Sequence, residues 1–166
     1  MAKKPEHMTS LIGSNFVPKN HPRIIFRGKL DSLQAQVVLI QCELADQALV
    51  ENLQDVLNSL RELTRCEVLD QPFEQDTLFG QSYAELQKQS HNPQKYFGVA
   101  VLHLPDHKFG RDYALLNTLR TAIREAELSA VDAFETEDGV SRGDIVLALN
   151  RLSSAVYVLM CRMIGE

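Results

Sequence analysis

Apolar residues recur along most of this chain every three or four positions, the spacing of helices that bury one face. Over residues 24–45 the period is kept by Ile25, Leu30, Leu33, Val37, Ile40 and Leu44. Residues 49–68 repeat it with Val50, Leu53, Val56, Leu57, Leu60 and Leu63, after a short turn around Asp46. Residues 111–134 and 144–164 supply two further long helices, and 82–90 a shorter one. The stretches 71–80, 105–110 and 136–141 carry Pro, Gly and acidic residues and read as loops or turns. Residues 97–104, FGVAVLHL, have the composition of a strand but nothing to pair with, so an extended segment laid across helices is expected. Residues 1–20 contain Pro5, Gly13, Asn15, Pro18 and Asn20 without a period. They are expected to be an irregular, flexible segment, able to close over a ligand. Long helices with short polar connections predict an all-α bundle of four to five helices over residues 21–166.

Two helices depart from simple amphipathy. In LLNTLRTAIREAE (115–127), Asn117, Arg120, Arg124 and Glu127 fall within roughly an 80° arc at about 100° per residue. Taken alone, this stripe reads as a solvated face, with Arg124 paired to Glu127 or Arg120 to a neighbouring carboxylate, and surface pairs contribute only about 0–1 kcal/mol. In ALNRLSSAVYVLM (148–160), Asn150 and Arg151 interrupt a nearly continuous apolar run. A helix apolar almost all round is buried on most of its surface, and a buried amide or guanidinium is costly unless partnered. An internal polar pair and a site lining both satisfy that requirement. Two arginines and an amide on packed helices suit an anion, because guanidinium matches phosphate oxygens.

Composition narrows the choice. The 166 residues carry a net charge of −5, which supplies no general basic face for nucleic acid. No run of about 20 uninterrupted apolar residues predicts a membrane span, and MAKKPEHMTS lacks the apolar core of a signal peptide, so a cytoplasmic location is expected. Cys42, Cys66 and Cys161 form no CxxC pair, and no metal site is expected from them. His103 and His107 lie together in a polar loop and read as ordinary loop histidines. Nucleotide-loop and hydrolase motifs are absent, so any chemistry must rest on positioning and charge. Lys19 and Arg23, just upstream of the first helix, suit either a phosphate clamp or a solvated loop. Asp31, near that helix's positive end, is explained by the dipole alone.

Three segments together resemble the corrinoid adenosyltransferases, also called ATP:cob(I)alamin adenosyltransferases: HPRIIFRGKLDSLQAQ (21–36), GRDYALLNTLRTAIREAE (110–127) and DIVLALNRLSSAVYVLM (144–160). The ethanolamine-utilisation (EutT-type) branch is the most similar, and the propanediol-utilisation (PduO-type) branch shares a sparser pattern. That pattern is an Asp early in the first helix, Arg-x3-Arg-x2-Glu, and Asn-Arg-Leu-Ser in the last helix. The resemblance implies a five-helix bundle assembled as a homotrimer, with active sites between subunits. It implies transfer of the 5′-adenosyl group of ATP, as its Mg2+ complex, to the cobalt of cobalamin reduced to Co(I). The implied partners are a reductase and a cobalamin-dependent lyase, and the branch implies association with a bacterial microcompartment.

Carried onto this sequence, the resemblance gives Arg120 and Arg124 the role of holding ATP or securing the interface, with Asn150 on ATP. Asp31 would pair with Arg120 across the interface and shape the cobalamin side. Glu127 would lie near the magnesium–triphosphate or orient Arg124, and Lys19 and Arg23 would belong to a phosphate-binding N-terminal segment. Phe97 or Leu102 would displace the lower axial ligand of cobalt. There are three departures. No TKTGDxG loop precedes Lys19, leaving Thr9, Ser10, Gly13 and Ser14 as the only similar residues. The His/Cys metal-binding region of the EutT-type branch is absent. Ser154 stands where the family has a carboxylate. Two other readings are open: a corrinoid- or nucleotide-binding relative without chemistry, and a helical scaffold whose arginines hold subunits together.

Overall fold

A computed structural model describes residues 5–101 and 103–165. Four long helices carry the core: α1 (Pro22–Glu43), α2 (Gln47–Val68), α5 (Arg111–Phe134) and α6 (Gly143–Ile164), with the short helices α3 (Tyr83–His91) and α4 (Pro93–Phe97) between them. The ends of the long helices lie within about two residues of the sequence expectation.

Local chemistry explains where they start. His21 caps α1 by accepting from the Arg23 N–H at 3.2 Å, and Pro22 opens the first turn, where its missing N–H costs nothing. Asp46 accepts from the N–H groups of Ala48 and Leu49 and starts α2. Phe26, Leu30, Leu33, Val37 and Ile40 form the buried stripe of α1, answered by Leu53, Val56, Leu60 and Leu63 of α2. Helix α5 lies between α1 and α6, and α3 packs on α6. Eleven residues of α6 are buried, from Ile145 to Cys161. By length and composition α6 is apolar enough to cross a membrane, yet most of that apolar surface is covered by its neighbours, as for a core helix. Burying each large apolar side chain contributes about 1.5–3 kcal/mol.

The N-terminal expectation is corrected. Residues 8–18 are not irregular but form an antiparallel hairpin, β1 (Met8–Ile12) on β2 (Asn15–Pro18), with Gly13 turning at φ +55°. Two further hairpins interrupt the all-helical expectation, β3 (Thr77–Leu78) with β4 (Gln81–Ser82) and β5 (Glu135–Thr136) with β6 (Gly139–Val140). The architecture is therefore a helical bundle with three small two-stranded ribbons. The expected extended stretch 97–104 starts later than predicted. Phe97 closes α4, Gly98 ends it at φ +68°, and of the described residues beyond, 99–101 and 103–104 form no helix or strand.

Candidate active site

Helices α5 and α6 pack side by side and bring the charged stripes together. Arg120 is half-buried. Its Nε and Nη2 both donate to Asn117 Oδ1 one turn earlier, at 3.1 and 3.0 Å. Arg124 follows one turn later, exposed, and makes no hydrogen bond or ion pair among the described residues. Nor does any described carboxylate form an ion pair with Arg120. Burial, and then the charge of Arg124, lower the Arg120 guanidinium pKa from its usual value. Two cations one turn apart destabilise a helix by a few tenths of a kcal/mol, a cost that a bound anion would remove.

The solvated-face account of this stripe paired Arg124 with Glu127 or Arg120 with a neighbouring carboxylate. Instead Glu127 Oε1 accepts from Asn150 Nδ2 at 3.0 Å, and Arg151 Nη1 donates to Asn150 Oδ1 at 2.7 Å. The Asn150 amide is thus partnered at both ends, which answers its burial cost. It also lines a cavity, so the two readings of Asn150 hold together.

That cavity measures about 550 Å³, within the range of small-molecule sites. Asn117, Arg120, Arg124 and Asn150 form its polar wall, continued by Ser153 and Ser154. Tyr113 and Tyr157 lie seven residues from Arg120 and Asn150 respectively, two helical turns along the same faces. The lining also includes Ser90, His91, Val101, His103, Leu104 and Pro105. His103 is not a solvated loop histidine. Its Nε2 lies 2.9 Å from the Tyr113 hydroxyl, and its ring stacks on Tyr157 with centroids 5.8 Å apart. Burial raises the Tyr113 and Tyr157 phenol pKa values, so both hydroxyls are neutral at physiological pH. The sequence marked none of these three residues. The signal was the seven-residue offset that places each tyrosine on the stripe of a polar site residue.

The remaining predicted residues stand elsewhere. Asp31 is exposed on α1, away from the cavity lining, and has no partner among the described residues. The neighbouring Lys29 reaches Glu125 of α5 at 3.5 Å. Lys19 is exposed just after β2, its backbone N–H donating to the His7 carbonyl at 2.8 Å. Arg23 is tied down inside the molecule: its Nε donates to Glu67 Oε1 at 2.8 Å and its Nη2 to the Glu67 carbonyl at 3.1 Å. Phe97 packs half-buried against the core and does not line the cavity. Leu102 lies outside the described residues.

Sequence reasoning also missed Glu67 and Arg27. Glu67 is fully buried on α2. Arg27 Nε donates to its Oε2 at 2.5 Å while Arg27 Nη2 donates to the Leu11 carbonyl of β1 at 2.8 Å. The pair therefore docks the N-terminal hairpin onto the bundle. Among the described residues no cluster of three His, Cys, Asp or Glu side chains is arranged to hold a metal ion.

Comparison with known proteins decides the family. The cobalamin adenosyltransferase family matches residues 1–163. The chain belongs to this family. The corrinoid adenosyltransferase EutT of Salmonella typhimurium strain LT2 is 41% identical over 167 aligned residues, covering 100% of this chain and 62% of that protein. The corrinoid adenosyltransferase EutT of Escherichia coli K12 is 42% identical, covering 96% of this chain and 60% of its own length. The chain thus spans about 60% of the length of the curated relatives it matches. Among solved structures, a variant PduO-type ATP:corrinoid adenosyltransferase from Lactobacillus reuteri, complexed with cobalamin and ATP, superposes with a TM-score of 0.74. It is 20% identical and covers 95% of this chain and 88% of that one, a likeness of fold.

Proposed function

We propose that this chain transfers the 5′-adenosyl group of ATP to the cobalt of cobalamin, in the service of ethanolamine utilisation. One observation carries the reading. Two adjacent arginines that form no ion pair with any described carboxylate line a cavity to which Val101, Leu104 and Pro105 contribute an apolar wall. The cations suit a polyphosphate and the apolar wall suits a corrin ring. In the reaction the Co(I) electron pair forms the bond to the 5′ carbon as the 5′ carbon–oxygen bond breaks and triphosphate leaves. Arg120 and Arg124 offset the charge that gathers on the departing oxygens, which is where a fixed cation accelerates such a step. No proton changes hands, so no general base is required.

Mg2+ arrives with ATP, and Glu127 Oε2 is the carboxylate oxygen beside the site that is left for it. Asp31, exposed and unpaired among the described residues, is assigned to Arg120 of the partner subunit in a homotrimer. Lys19 is assigned to the phosphates. Arg23 serves that segment indirectly, through the ion pair that docks the hairpin. For displacing the lower cobalt ligand, Val101 and Leu104 are better placed than Phe97: both line the cavity, and Leu104 is 82% exposed. A reductase, a cobalamin-dependent lyase and a cytoplasmic or microcompartment setting complete the proposal.

Mixing the protein with ATP, Mg2+ and chemically reduced cobalamin tests it. The adenosylcobalamin absorbance should develop; its absence under strong reduction sinks the enzyme reading. A binding relative without chemistry is the second reading, favoured by the lack of a Gly-rich phosphate loop before Lys19. Isothermal titration showing ATP or corrinoid binding in a preparation without turnover would select it.

A further inference from the structure

Val101, His103, Leu104 and Pro105 line one side of the cavity with little of their own to hold them there. Among the described residues of 99–106 none pairs in a strand, and the backbone bonds are local: Val99 N–H to the Pro93 carbonyl at 3.4 Å and His103 N–H to the Ala100 carbonyl at 3.2 Å. Val99 is buried and pins the start. Beyond it, Val101 and Leu104 are 60% and 82% exposed. A segment with apolar side chains toward water and no ladder opens easily, unless a side chain ties it down.

His103 is that side chain. Its Nδ1 lies 3.2 Å from the Ala100 carbonyl, which closes a turn within the segment. Its Nε2 meets the Tyr113 hydroxyl at 2.9 Å on α5. Its ring lies nearly parallel to Tyr157 of α6, at an interplanar angle of 16°, and meets Phe109 edge-on at 6.1 Å. Both tyrosines sit two turns along the faces that carry Arg120 and Asn150, about 10 Å away along each helix. One imidazole therefore references the apolar wall to both helices of the cationic wall.

We propose that His103, seated between the Tyr113 hydroxyl and the Tyr157 ring, is the positioning residue that latches Val101, Leu104 and Pro105 against the cavity. The latch sets the position of Val101 and Leu104 relative to Arg120. Only the ligand's identity rests on the adenosyltransferase reading; with it, the segment faces the corrin ring and the latch tunes corrinoid engagement rather than ATP capture.

Hydrogen exchange measured by mass spectrometry reads the latch without any ligand. Tyr113→Phe removes one hydroxyl partner and keeps the ring. A neutral hydrogen bond of about 1 kcal/mol makes segment opening about fivefold more frequent. His103→Ala, which also loses the stacking, should raise exchange of the peptides covering 99–107 by more than that, with peptides of α1, α2 and α5 unchanged. His103→Gln, which retains a polar group able to reach Tyr113, should restore part of the protection. In turnover, the three variants should raise KM for reduced cobalamin several-fold while KM for ATP stays within twofold. Unchanged exchange in 99–107 overturns the proposal, and so does a rise spread evenly over the bundle. If the wild-type protein makes no adenosylcobalamin, the functional reading fails, and the exchange data decide the latch by themselves.

Discussion

Replacing Glu67 by alanine should be among the most damaging single changes outside the apolar core. Its side chain is fully buried, while its partners Arg23 and Arg27 are only 16% and 19% exposed. Removing the carboxylate leaves two largely desolvated guanidinium groups without their counter-charge. Breaking a buried pair in this way costs about 3–5 kcal/mol. Because both arginines keep an edge toward water and can turn outward, the low end applies, about 3 kcal/mol. For a domain of this size that lowers Tm by roughly 6–12 °C. Glu67→Gln retains the shape and one acceptor oxygen, so its loss should be about half as large. The contrast is Glu62, which pairs with Arg65 at 2.7 Å but with both side chains more than 40% exposed. Glu62→Ala should cost much less than Glu67→Ala, because water screens an exposed pair. Urea unfolding followed by circular dichroism measures all three, with a constant m-value as the check on two-state behaviour. Limited proteolysis adds the local readout, since the Glu67 variants release Arg27 and with it the Leu11 carbonyl. If Glu67→Ala loses no more than Glu62→Ala, or cleavage within residues 8–18 is not accelerated, the clamp does not hold the hairpin.

Arg124→Ala should leave stability within about 0.5 kcal/mol, since the side chain forms no hydrogen bond or ion pair among the described residues. KM for ATP should rise tenfold or more, as expected for a lost charge-assisted contact; titration with ATP and thermal melts separate the two effects. Asp31→Asn should leave the subunit fold intact while lowering the trimer fraction in sedimentation, and an unaltered trimer with unaltered activity counts against the interface pairing. Leu116→Ala and Leu149→Ala, at fully buried positions of α5 and α6, should each cost about 2–5 kcal/mol in urea unfolding. Burial pushes the Tyr83 phenol up to about 12. A folded-state pKa above the unfolded value of about 10 means this stabilisation is complete below pH 10 and disappears as pH rises toward 12. Ultraviolet titration should therefore show one phenol ionising only near pH 12, a step lost in Tyr83→Phe, with alkaline unfolding setting in over the same window.

The four long helices were legible because each buries a stripe that repeats for five or six turns. In α1, Leu30, Leu33, Val37 and Ile40 predict the buried face almost residue by residue. The N-terminal hairpin was not legible, because its strands are five and four residues long and half-exposed on both faces, so no alternation marks them. Arg120, Arg124 and Asn150 were visible as polar interruptions of apolar helices, and they do converge on one cavity. Arg23 looked the same as Lys19 in sequence, yet its partner Glu67 lies 44 residues away and only folding brings them together. His103 was misread for a related reason. Loop composition describes the flanking residues, while its seat is supplied by Tyr113 and Tyr157 on helices further along the chain.

The connection between α5 and α6 has a consequence for the order in which the molecule is built. The two helices that carry the cationic wall are joined by the β5–β6 ribbon, closed by the Ser141 N–H on the Phe134 carbonyl at 2.9 Å. Arg120 and Asn150 are thus brought together within a single helical hairpin, by contacts close in sequence. Local contacts form early and need little loop closure. The wall of the cavity is therefore complete when this hairpin zips, before α1 and α2 need to close on it. The N-terminal ribbon docks last, because its anchor at Glu67 exists only once α1 and α2 are paired.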